Sequence, residues 1–196
     1  TYWFLTVVDS SMTNNNITAI VLAGGQGSRM DHQDKAWVDF EGRPLIHHVI
    51  EKIEPWVDQI VISRNRPNPA PLKYACYPDE LPGFQGPLAG IAACAEQVVT
   101  DAVLVVPCDT PNLPGSLIST LASQLSDRDL AVAEQGGRMQ SLVFLTKTEV
   151  LKTIRLYLES GGRSVMGWIE TMNFVIVPFD DCPQAFENIN KTSQLR

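Results

Sequence analysis

Ile17-Thr18-Ala19-Ile20-Val21-Leu22, running into Ala23-Gly24-Gly25-Gln26-Gly27-Ser28-Arg29-Met30, is the stretch that decides the fold. Its first six residues are a continuous apolar, β-branched run, the pattern of a strand buried on both faces of a parallel sheet. Three glycines then follow within five residues. Glycine accepts positive φ and lets the backbone come close to a ligand with its N–H groups exposed, so such a loop after a buried strand is suited to cradling phosphates. Arg29 can add a bidentate fork, and Lys35, in Gln33-Asp34-Lys35, a point charge. A tight turn with solvated charges would use the same glycines; the joint placement of Arg29 and Lys35 favours the phosphate role. Two other loop classes are excluded: the Gly-Lys-Ser/Thr ending of a Walker loop is absent, and G-x-G-x-x-G fails at Met30.

Outward from this stretch, strands and helices alternate. Helical spacing of Leu45, Ile46, Val49, Ile50 and Ile53 predicts a helix over 44–54, followed by strands over 59–63 and 72–76 that flank a proline-rich irregular stretch, 67–71. A helix is expected over 87–98, and Ala102-Val103-Leu104-Val105-Val106 is the strongest buried-strand signal, ending at Pro107-Cys108-Asp109-Thr110-Pro111. Further expectations are a helix over 114–125, strands over 130–133 and 141–146 joined by a Gly136-Gly137 turn, helices over 147–159 and 163–171, and a strand over 174–177. The alternation implies a three-layer α/β, Rossmann-like fold with a mostly parallel sheet.

At 196 residues and 44% hydrophobic composition, the chain fits one domain of about 100 to 200 residues. The expected division is a single domain over 12–196, with Met12 as the natural start and 1–11 as a leader or cloning scar. A net charge of −7 argues against a nucleic-acid partner, while leaving room for a local basic pocket. Cys76, Cys94, Cys108 and Cys182 form no C-x-x-C pair, which points away from zinc ribbons and disulfide frameworks and towards a reducing cytoplasm. No apolar run approaches the roughly 18 residues of a membrane span.

Two acidic residues stand where ligands bind in open α/β folds, just beyond the carboxyl ends of strands. Asp109 follows the strongest strand. Magnesium prefers oxygen and commonly takes one or two carboxylates plus substrate phosphates, so Asp109 is a sufficient protein ligand; a carboxylate capping the turn before Pro111 is the alternative. Asp79 lies in Tyr77-Pro78-Asp79-Glu80-Leu81-Pro82. Its two oxygens match the adjacent N1–H and N2–H donors of guanine, although a solvated acidic loop would look the same. Gly86-Pro87-Leu88-Ala89-Gly90 opens a helix whose N-terminus could face an anion or simply pack closely.

Taken together, Leu22-Ala23-Gly24-Gly25 with Arg29-Met30 and Asp34-Lys35, Gly42-Arg43-Pro44-Leu45, Asp79 through Gly90, Pro107-Cys108-Asp109-Thr110-Pro111 and Asn188-Ile189-Asn190 resemble, in order, the molybdenum cofactor guanylyltransferases, the MobA family of nucleotidyltransferases. The likeness spans roughly residues 13 to 195. It implies a magnesium-dependent enzyme that joins GMP from GTP to molybdopterin or its molybdenum form, with Mg2+ on Asp109. By the same resemblance, GTP would be bound by Leu22, Ala23, Gly24, Gly25, Gly27, Lys35, Ser63, Asp79 and Asp109. Arg29, Lys35 and Asp109 would act in catalysis, and Asn188 and Asn190 would lie near the pterin. Contact with delivery proteins of cofactor biosynthesis is a further implication. The chain departs from the family pattern at Asp31-His32-Gln33, where a glycine pair is usual, at Ser63, where many members have asparagine and Asn65 follows two residues on, and at Lys191-Thr192.

In the expected reaction, a terminal phosphate oxygen of the pterin attacks the α-phosphorus of GTP and pyrophosphate leaves. A phosphate monoester has a second pKa of about 6, so the nucleophile is already anionic and needs no general base; His32, His47 and His48 are not required. A cytidylyltransferase on the same pterin, a sugar-phosphate nucleotidyltransferase, and a nonenzymatic GTP or pterin carrier are the alternative readings.

Overall fold

A computed structural model describes residues 16–24, 34–79 and 86–189. Its main sheet has seven strands: β1 (Ile17–Leu22), β4 (Gln59–Ser63), β5 (Ala75–Tyr77), β6 (Ala102–Pro107), β7 (Leu130–Gln135), β8 (Arg138–Lys147) and β9 (Phe174–Pro178). Their order is β5-β4-β1-β6-β8-β7-β9. All neighbours pair in parallel except β8, which runs antiparallel to both β6 and β7. A separate two-stranded hairpin, β2 (Asp39–Phe40) with β3 (Arg43–Pro44), turns through Glu41 and Gly42, both at positive φ.

Alternation along the strands splits the core into two layers. Ala19, Val21, Ile60, Ile62, Leu104 and Val106 face α1 (Leu45–Ile53) and α3 (Leu117–Leu125). Ile20, Leu22, Val61, Val103, Val105 and Phe144 face α2 (Pro87–Ala95), α4 (Thr153–Glu159) and α5 (Val165–Ile169). The result is the expected three-layer α/β sandwich. Helix α1 buries the apolar stripe read from its spacing, and fully buried Trp168 of α5 satisfies its indole by donating from Nε1 to Thr153 Oγ1 at 2.9 Å.

Several boundaries move for identifiable reasons. The helix expected over 147–159 is instead the end of β8, a 3-10 stretch (Thr148–Lys152) and then α4. Lys147 pairs with Ala102 across the ladder, and the Thr148 N–H and Oγ1 bond to the carbonyls of Asp101 and Thr100, so that segment is fastened to the sheet before a helix can begin. Strands β7 and β8 both run further towards their Gly136-Gly137 turn than hydrophobicity suggests. Glu134, Gln135 and Arg138 are polar, yet the ladder carries on through Glu134–Met139 and Gln135–Arg138.

Gly90 shows how tightly α2 sits on the sheet. A Cβ there would lie 2.1 Å from Ser63 Oγ and 3.3 Å from Ser63 Cβ. Gly90→Val is therefore expected to lower the unfolding free energy by about 1–3 kcal/mol, measured by urea denaturation; unchanged stability would mean that the layers are not in this contact.

Candidate active site

The register of the parallel strands sets three carboxyl ends level. Leu22 at the end of β1 pairs with Ser63 at the end of β4 and with Pro107 at the end of β6. The chain crosses the same line on leaving each strand: the Ala23 N–H donates to Ser63 O at 2.9 Å, and the Cys108 N–H to Leu22 O at 3.0 Å. Ala23-Gly24, Arg64 and Cys108-Asp109 consequently emerge side by side. A fourth segment joins them, because the Ile189 N–H donates to Asp109 O at 3.0 Å and brings Asn188 to the same rim.

Lys35 opens a 3-10 turn (Lys35–Trp37) and donates from Nζ to Asp109 Oδ2. Side-chain exposures of 27% for Lys35 and 13% for Asp109 leave the pair accessible to a ligand while withdrawn from bulk water. Asp34 is held from behind: Arg64 donates from Nη1 to Oδ1 at 3.0 Å and from Nη2 to Oδ2. Between these groups lies a cleft of about 390 Å3.

Leu22, Ala23, Gly24, Lys35, Asp109 and Asn188, six of the residues singled out from sequence, line this cleft. Ser63 and Asp79 do not. Ser63 is buried, with its hydroxyl turned towards Gly90 on α2, so its contribution at the rim is the backbone carbonyl that receives Ala23. Asp79 follows β5, two strands from β1 and so about 10 Å away along the sheet, and its N–H donates to Asn65 Oδ1 at 2.6 Å. Gly25, Gly27, Arg29 and Asn190, together with residues 1–11 and His32, lie outside the described residues.

The structure adds lining that the sequence reading passed over. Strand β8 extends beyond the end of β6, and Arg138, Met139, Gln140 and Ser141 form the opposite wall. Between Val132–Phe144 and Glu134–Met139, β8 advances five residues while β7 advances two, an irregularity of the kind that re-aims side chains beside functional sites. The Gly136-Gly137 turn was the available signal, had the hairpin been extended up to it. Arg64 was also missed; the cue was an arginine directly after a buried strand.

Neither histidine of α1 faces this chemistry. His48 Nε2 donates to Phe40 O at 2.7 Å and its ring meets Phe40 edge-on, while His47 stacks edge-on with Trp37. Cys108 lines the cleft, but burial, reinforced by the Asp109 charge, pushes its thiol up to about 12. It stays protonated at neutral pH and is no nucleophile. Among the described residues no group of three or more His, Cys, Asp or Glu could cage a metal. Asp109 with substrate oxygens is the donor set the cleft can offer, one that suits magnesium. No helix of the described residues is long and apolar enough to cross a membrane.

Comparison with known proteins matches residues 19–172 to the MobA-like NTP transferase domain. Molybdenum cofactor guanylyltransferase of Shewanella sediminis is 39% identical over 182 residues, covering 91% of this chain and 93% of the relative. The Shewanella putrefaciens protein of the same name is 37% identical over 179 residues, 89% and 92% of the two chains. Among solved structures, molybdopterin-guanine dinucleotide biosynthesis protein A from Archaeoglobus fulgidus superposes with a TM-score of 0.74 at 23% identity, over 91% of this chain and 94% of its own. A Thermus thermophilus 2-C-methyl-D-erythritol 4-phosphate cytidylyltransferase shares the fold at a TM-score of 0.67 and 14% identity, over 91% and 94%.

Cys94 is raised to about 12 as well, by burial first and by Cys76 second. The folded protein thus holds both thiol protons more tightly than the unfolded chain does. Their contribution is complete below the ordinary value of 9.0 and is lost as pH climbs from there towards about 12. Urea midpoints across that window should fall less steeply in a Cys94→Ala/Cys108→Ala double variant than in the parent, whereas parallel slopes would contradict the assignment.

Proposed function

The chain belongs to the MobA-like NTP transferase family, and on that premise we propose that it transfers GMP from GTP to molybdopterin or its molybdenum form, releasing pyrophosphate. The observation that carries this reading is the accessible Lys35–Asp109 pair set beside the Ala23-Gly24 backbone at the level carboxyl ends of β1 and β6. Such a rim offers what a polyphosphate needs: close backbone approach, a cation and a metal-capable carboxylate.

Each residue has a definite task. The Ala23-Gly24 backbone approaches the triphosphate, and Lys35 donates to a non-bridging oxygen. Asp109 would hold magnesium together with the phosphates; that ion, when bound, supplies further positive charge. The pterin phosphate is already anionic, so its oxygen forms the new bond to the α-phosphorus as the bond to pyrophosphate breaks, without a proton to remove. Repulsion between two anions is then the obstacle, and positive charge with in-line alignment is the remedy. Asp79, two strands along the same rim, stands at a distance suited to the base of a nucleotide whose phosphates lie at Gly24, with Asn65 steadying its backbone. Arg138 and Gln140 on β8 and Asn188 line the same cleft, which supports assigning the acceptor to that wall.

Pyrophosphate release from GTP and molybdopterin, measured beside CTP, tests the proposal; turnover with CTP alone would replace it by the cytidylyltransferase reading, and nucleotide binding without release by a carrier. Lys35→Ala and Asp109→Ala should each reduce kcat about a hundredfold or more with an unchanged circular dichroism spectrum. Near-normal turnover in both variants would overturn the roles assigned to the pair. Asp79→Ala should narrow the preference for GTP over CTP, and a preference left intact would remove Asp79 from base selection.

A further inference from the structure

Arg64 carries a charge that the transfer mechanism does not use. Its side chain is 1% exposed, a costly position for a guanidinium without a partner. Besides Asp34 it reaches Pro67 O, 2.9 Å from Nη2, and its buried Nε has no hydrogen-bond partner among the described residues. A buried ion pair is poor evidence for stability, since an apolar pair of like volume would serve as well. Its location is more informative.

Two consecutive residues at the end of β4 fasten both stems of the glycine-rich loop. Ser63 O receives the Ala23 N–H where the chain leaves β1, and Arg64 grips the Asp34 carboxylate where the chain returns. The Trp37 N–H donates to Asp34 O at 2.9 Å, so the position of Asp34 also sets the 3-10 turn that carries Lys35. There is an electrostatic consequence too. Asp34 lines the cleft with Asp109, and an uncompensated second carboxylate would compete for Lys35 and repel a polyphosphate.

We propose that Arg64 is a positioning residue: by holding Asp34 it fixes the turn that delivers Lys35 to Asp109, and it cancels a carboxylate that would otherwise oppose the triphosphate. The proposal rests on the reading of the cleft as the GTP site. It differs from a purely structural role in separating two effects, placement of the turn that carries Lys35 and charge cancellation, which act on kcat and on KM respectively.

Arg64→Met and the double variant Arg64→Met/Asp34→Asn separate them. The single variant leaves Asp34 uncompensated, so KM for GTP should rise and kcat should fall about tenfold to a hundredfold as Lys35 loses its placement. The double variant removes the carboxylate charge, so KM should return close to the parent value while kcat stays low. A structural role alone would instead scale turnover with the folded fraction and leave KM unmoved. Should Arg64→Met fail to fold, the double variant, which leaves no unpaired buried charge, decides the matter, and parental kcat in it would overturn the proposal. So would Arg64→Met kinetics matching the parent, or a double variant with no recovery of KM. Fluorine NMR of 5-fluorotryptophan protein without nucleotide, with the Trp37 signal assigned through Trp37→Phe, gives a readout independent of activity. A Trp37 shift in either Arg64 variant supports the positioning role even if the parent releases no pyrophosphate, a result that would sink only the GTP reading; an unmoved signal overturns the positioning role whatever the turnover.

Discussion

The parallel pairing of β1 between β4 and β6 is the constraint on which the site depends. Because Leu22 stands opposite both Ser63 and Pro107, three chain segments leave the sheet at one level, and each is tied to its neighbour by a backbone hydrogen bond across the rim. A slip of one residue in either pairing would turn the affected strand's apolar residues to the opposite layer and carry Arg64 away from Asp34 or Asp109 away from Lys35. The two-layer apolar core therefore does more than stabilise the domain. It sets the relative heights of the charged groups that follow the strands.

Charge at this rim is arranged in two pairs of different accessibility. Lys35–Asp109 faces the cleft and is partly exposed, whereas Arg64 is almost wholly buried and approaches Asp34 from beneath. An ion pair whose cation is partly exposed can exchange partners with an incoming phosphate at modest cost, while a guanidinium buried behind its carboxylate, as Arg64 is behind Asp34, holds its geometry. Such a division leaves Lys35 and Asp109 open to the cleft while Asp34, at the start of the turn, is held in place. The chain's overall net charge of −7 gives no hint of this local arrangement.

The far wall follows another rule. Strand β8, the one antiparallel member of the sheet among the described residues, outruns β6 and carries polar side chains over the cleft. Its irregular pairing with β7 breaks the period-two alternation at the residues that line the wall. Hydrophobic patterning cannot register this, since beyond exposed Arg138 the overhang mixes partly buried Met139 and Leu142 with equally half-buried Gln140 and Ser141 and repeats no apolar face.

Local sequence settled the elements whose burial leaves a periodic trace. The apolar runs at 17–22 and 102–106, the stripe of α1 and the Gly136-Gly137 turn were legible because each is dictated by contacts its own residues must make. The glycine-rich stretch and the acids after strands marked the carboxyl edge as the place for chemistry, since backbone approach and metal-capable oxygens require those residue types. Tertiary structure alone decided which of these residues meet. It brought Lys35 to Asp109 across 74 positions of sequence, turned Ser63 towards Gly90 and made Arg64 the partner of Asp34. Pairings between distant residues arise from strand order and register, which are collective properties of the whole sheet and leave no signature in any single segment.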